Sequence, residues 1–257
     1  MSQLYKKIVL LLIVQLVLVF PSGAQQENAM RLRNSGSWTM VLIPDPQGYV
    51  KFEMNQPVMD IITTWIKVNI DRLNIRLVMC TGDLVESNNS VIPDPTYGGD
   101  QTAWQQWQAI SGSFKKLDHE IPYILCLGNH DMEMSSARYS QFNSWFAPDR
   151  NPLTQGLLVD MFPNASGVKT LENACYEFIS PGGIPFLIFS LEFLPRDTIV
   201  RQAIAVAQRE RYKHYIGIVL THSYLGWDNN RRKKENYPLT GARGEDLWQQ
   251  FVAPSGN

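Results

Sequence analysis

Four apolar stretches of this sequence run directly into residues that can do chemistry. "MVLI" leads to Pro44-Asp45-Pro46-Gln47 and "IRLVMC" to Thr81-Gly82-Asp83. "IPYILCL" leads to Gly128-Asn129-His130-Asp131, and "YIGIVL" to Thr221-His222. A carboxylate pushed out of a hydrophobic strand costs several kcal/mol if it is buried without a partner. A Gly-Asp pair after a strand is also a common turn, so one such motif alone is weak. Four in order, each directly after an apolar run, gather carboxylate, amide and imidazole groups outside the carboxyl ends of an α/β sheet, where ligands bind.

The elements that must hold these tips alternate strand with helix. "QPVMDIITTWIKVNIDRLN" has apolar residues at Val58, Ile61, Ile62, Trp65, Ile66 and Ile70, the spacing of one helical face. "DQTAWQQWQAISGSFKKL" carries Trp104, Trp107, Ile110 and Phe114 on one stripe, which predicts both tryptophans in the core and Asp100 as the N-cap. "ACYEFISPGGIPFLIFSLEF" reads as an antiparallel hairpin turning at Pro181-Gly182-Gly183. "TIVRQAIAVAQRERYK" and the beginning of "GEDLWQQFV" read as helices. This predicts the α/β class with two packed mixed β-sheets flanked by helices. Cys80 and Cys126 each stand three residues before a motif residue, Asp83 and Asn129, which predicts neighbouring strands with both thiols buried as small hydrophobes.

At 257 residues, 44% hydrophobic and 18% charged, the chain can bury the core of one large domain. Its formal net charge of -1 and single short basic run, Arg231 to Lys234, give no reason to expect nucleic-acid binding, and the run reads as a solvated loop. Lys6 and Lys7 precede an apolar run from Ile8 to Phe20, followed by Ser22 and Ala24 at signal-peptidase spacing. Residues 1–24 therefore read as a signal peptide and 25–257 as the working domain, exported to the periplasm or secreted. The apolar run is shorter than the roughly 20 residues that span a bilayer, so no membrane span is expected after cleavage. His119 and His214 read as helix-end residues outside any site.

The four motifs resemble those of the calcineurin-like metallophosphoesterase superfamily. Its pattern is Asp-x-His, Gly-Asp, Gly-Asn-His-Asp or Glu, a lone His, and Gly-His-x-His, each at a strand end. Here Gln47 stands where the family has the first His, and no Gly-His-x-His occurs. The resemblance implies a β-sandwich phosphoesterase domain, truncated here with its C-terminal strand missing, that hydrolyses a phosphomonoester or phosphodiester by attack of a metal-bound hydroxide. It implies two divalent ions, Mn, Fe or Zn. Asp83 would bridge them, Asp45 and Gln47 would complete one, and Asn129 and His222 the other. Two cations about 3.5 to 4 Å apart need one carboxylate between them, which agrees with a single bridging Asp. His130 would protonate the leaving oxygen or hold the transition state. Glu86 either orients His130 or is a surface loop carboxylate, and Asp131 reads as a residue fixing its loop. The alternative is a non-catalytic member that binds a metal or phosphate-bearing ligand at an incomplete dinuclear site. Tyr97, Tyr224 and Trp227 could wall a substrate pocket or anchor loops, and nothing separates monoester from diester.

Overall fold

The computed structural model describes residues 31–255, so the expected signal peptide lies outside the described residues. Two compact units are distinguished, Met1–Ser35 and Gly36–Asn257, and every described strand lies in the second. That unit has two sheets. The first holds β1 (Thr39–Ile43), β2 (Ile75–Cys80) and β3 (Tyr123–Leu125), all parallel, in the order β1-β2-β3. The second holds β4 (Leu158–Pro163), β5 (Lys169–Ile179), β6 (Pro185–Ser190) and β7 (Ile216–Leu220), ordered β4-β5-β6-β7. Its first two pairings are antiparallel and β6 with β7 is parallel. The predicted α/β class with two packed sheets and flanking helices is what the chain forms, with the mixed pairing confined to the second sheet.

Period-2 alternation along the strands assigns each face. In β2, Val78 and Cys80 pack under the helices α1 (Gln56–Val68) and α2 (Ala103–Lys115), beside Met59, Ile66, Trp107 and Phe114. Leu77 and Met79 point the other way, onto Ala174, Tyr176 and Phe178 of β5, and this is the seam between the sheets. On the far side of the second sheet, Cys175, Leu187 and Phe189 meet Ile199, Val200 and Ala203 of α3 (Asp197–Ala207). Strands buried on both faces need near-continuous apolar sequence, and "IRLVMC" supplies it. The equal offsets of the two cysteines do reflect neighbouring strands, since the Cys126 N–H donates to Cys80 O at 3.1 Å.

Three expectations are corrected. Asp100 is not the cap of α2: Thr102 is, in a capping box with Gln105, while Asp100 accepts from the Glu53 N–H at 2.9 Å. A Thr followed three residues later by Gln is the better capping pair. Trp107 is fully buried, but Trp104 is exposed and rests on Trp145 with ring centroids 4.5 Å apart. Helix α1 buries Met59, Thr63 and Ile66, leaving Val58, Ile61 and Trp65 exposed. Ile62 and Ile70 pack against the same core, so the helix carries a second apolar stripe that the core does not take up.

Candidate metal centre

The first carboxylate stands in the loop after β1 and the second in the loop after β2. Asp45 has φ 39° and Asp83 φ 51°, both in the left-handed region that non-glycine residues seldom occupy. Such strain persists only where surrounding structure imposes it, and it clusters at functional sites. The imposing structure is a close approach of backbones. A Cβ on Gly82, itself at φ 95°, would lie 2.4 Å from Gly128 N, and one on Gly128 would lie 2.0 Å from Asp83 Oδ1. Only glycine at both positions lets the loops after β2 and β3 meet. Asp131 ties them from beneath, accepting from the Val85 N–H at 3.0 Å and the Gly128 N–H at 2.8 Å. It is completely buried, burial raises its pKa, and it does fix its loop.

Asp83 is the hub. Its Oδ1 accepts the His130 N–H at 3.0 Å, and its Oδ2 lies 3.3 Å from His222 Nε2. His222 Nδ1 lies 2.9 Å from Thr81 O and 3.6 Å from Asp45 Oδ1. A backbone carbonyl can only accept, so Nδ1 carries the hydrogen and Nε2 is the nitrogen turned toward Asp83. Burial works against the charged imidazole, and the Asp83 carboxylate outweighs it, so the His222 pKa is pushed up to about 9. Gln47 is drawn in by its backbone, whose N–H donates to Asp83 O at 2.9 Å. Asn129 gives its amide Nδ2 to Tyr237 Oη at 2.9 Å, which leaves its carbonyl oxygen as the atom for a cation.

His130 sits beside this group with Nδ1 2.7 Å from the backbone O of Glu86, so Nε2 is the nitrogen free to meet a substrate. The Glu86 carboxylate is 3.7 Å from Nδ1 and 3.0 Å from Lys51 Nζ. Glu86 is therefore neither a surface carboxylate nor the direct anchor of the imidazole: its backbone carbonyl holds His130, and Lys51 holds its side chain. Beyond His130 opens a cleft of about 280 Å³, bounded by Glu86, Asn89, Asn129, Glu133 and Tyr237. None of the three expected walls lines this cleft: Tyr224 borders a different cavity, and the side chains of Tyr97 and Trp227 are largely exposed. Sequence reasoning missed Lys51, Thr81 and Tyr237. Tyr237 reaches Asn129 across 108 positions and packs edge-on against Phe193 at 5.3 Å, contacts without any local sequence signal.

The donor set fits divalent cations in part through its amides. Among the described residues no three His, Cys, Asp or Glu side chains converge on one point, because Asp45 and Asp83 approach opposite nitrogens of His222. Amide oxygens must then complete any coordination. Gln47 Oε1 is buried without a hydrogen-bond partner, an unmet acceptor of the kind a cation satisfies.

The chain belongs to the calcineurin-like phosphoesterase family, whose pattern it matches over residues 48–250. The family supports a hydrolase and usually binds divalent metals. The match begins just after Gln47, so the first motif lies outside it. The chain is similar to the uncharacterized protein YvnB of Bacillus subtilis (strain 168), at 27% identity over 223 residues, which is 86% of this chain and 14% of that protein. A solved structure, GAP50, the anchor in the inner membrane complex of Plasmodium, aligns with 84% of this chain and 61% of its own, at 11% identity and a TM-score of 0.40. Among the described residues no helix is long and apolar enough to cross a membrane.

Proposed function

We propose that the protein is an exported, metal-dependent phosphoesterase hydrolysing a phosphomonoester or phosphodiester. The observation that carries this reading is Asp83, whose two oxygens engage separate partners, the His130 N–H and His222 Nε2. A carboxylate so divided suits a bridge between two cations, with Asp45 and Gln47 serving one and Asn129 and His222 the other. Bound cations would lower the pKa of water and offset charge on the phosphoryl oxygens. The chain's own contribution is to fix that chemistry in place. Thr81 O orients His222, and Glu86 O orients His130 so that Nε2 can give a proton to the leaving oxygen in the adjoining cleft.

Replacing Asp83 by Asn keeps its shape and removes its charge. In the Asp83→Asn protein, metal content by elemental analysis should fall and hydrolysis of an aryl phosphate or aryl phosphodiester should be lost, with the circular dichroism spectrum unchanged. Undiminished turnover would remove Asp83 from the mechanism. A second reading, binding of a phosphate-bearing ligand without turnover, draws support from the neutral amide at Gln47, a weaker ligand than imidazole. Retention of His130, poised for proton transfer, favours catalysis. Export is checked by fractionating cells and locating the chain outside the cytoplasm.

A further inference from the structure

The exposed stripe of α1 runs through Val58, Ile61, Trp65 and Val68, with exposures from 39% at Trp65 to 70% at Val68. Its steps of three, four and three residues are those of a helix-to-helix seam, set well away from the Met59, Thr63 and Ile66 face that enters the core. Contiguous apolar surface of this kind marks an interaction site in a soluble domain. A groove of about 430 Å³ runs along it, bounded by Asp60, Ile61, Thr64 and Trp65, so there is room for a side chain from a partner helix.

We propose that this seam docks a second copy of the chain, α1 against α1, antiparallel about a two-fold axis that crosses the exposed stripe midway between Ile61 and Trp65. A two-fold contact requires a self-complementary surface, because every residue must suit the one that its own copy places opposite. The stripe has that symmetry. That axis pairs Val58 with the partner's Val68 and Ile61 with the partner's Trp65. The charges on its flank have it too. Within one chain Lys116 pairs with Asp60 at 2.8 Å and Lys67 with Glu120 at 2.8 Å. The same axis sets Asp60 against the partner's Lys67 and Lys116 against the partner's Glu120, so the two ion pairs meet with opposite signs. A parallel arrangement would set like against like. One helix seam buries little area, which puts the association at the weak end of specific interfaces.

Sedimentation velocity over a concentration series should show a reversible monomer–dimer equilibrium. Ile61→Glu or Trp65→Glu, each placing a charge in the seam, should raise the dissociation constant at least about tenfold. Because these positions are exposed, circular dichroism should report an unchanged fold. The arrangement is tested by two single variants, Val58→Cys and Val68→Cys, oxidised alone and as an equimolar mixture: the mixture should cross-link and neither alone, whereas a parallel seam would cross-link each alone. In the antiparallel dimer the two copies of either position lie about 15 Å apart along the seam, too far for a disulfide. The three native cysteines are buried, so mild oxidation should give a covalent dimer through the new thiols alone. A monomer at every concentration would overturn the proposal, as would a dimer that survives both glutamate variants or a mixture of the two cysteine variants that fails to cross-link.

Discussion

At the scale of single residues, the two histidines of the site are each held at Nδ1 by a backbone carbonyl and differ in what they face. His222 faces two carboxylates, whereas His130 faces a cleft. His130→Ala should therefore leave metal content unchanged and lower kcat by about 10²- to 10⁴-fold, the loss expected for a missing general acid. Loss of metal in that variant would make His130 a ligand instead. Gly128→Ala should act differently, since its new Cβ would fall 2.0 Å from Asp83 Oδ1 and force the loops apart. We expect it to lower both thermal stability and metal binding, measured by calorimetry. The residue types at the strand tips were legible in the sequence because each follows an apolar run directly. The partners that orient them were not: Glu86 O and Thr81 O are main-chain atoms, which no side-chain pattern reports.

At the scale of elements, α2 offers a controlled comparison. Trp107 is fully enclosed and gives its indole N–H to Asn88 Oδ1, while Trp104, three residues earlier on the same helix, is exposed. Trp107→Ala should cost about 3–5 kcal/mol in reversible denaturant unfolding. Trp104→Ala should cost far less, because most of that ring, which rests on Trp145, is already open to solvent. Comparable costs would show that Trp104 is buried in solution. The same pair shows why periodicity misread the helix: two residues three apart lie roughly 60° from one another, so a stripe can straddle the boundary between core and solvent. That these two strands are neighbours was read more securely, from the equal offsets of Cys80 and Cys126 to their motifs, and β2 and β3 do pair in parallel with Cys80 opposite Leu125.

At the scale of the whole molecule, three layers of side chains hold two sheets and their helices, and each of the three cysteines is buried in one of them. Burial raises all three thiol pKa values, which suppresses the reactive thiolate. A thiol reagent should find no reactive group in the native protein and three after denaturation, a count that checks the packing of every layer at once. The layering was readable from strand and helix alternation, but the approach of Tyr237 to Asn129 depends on how a long loop after β7 returns, which only the assembled fold defines. The two central carboxylates are unequally sheltered, with 56% of the Asp45 side chain open to solvent and 7% of Asp83. If each helps to hold a cation, solvent and competing chelators reach the Asp45 side first, so the centre would empty in two stages. Stopped-flow chelation should then release metal in a fast and a slow phase of equal amplitude, and a chain caught between them would hold one ion at the end nearer Asn129.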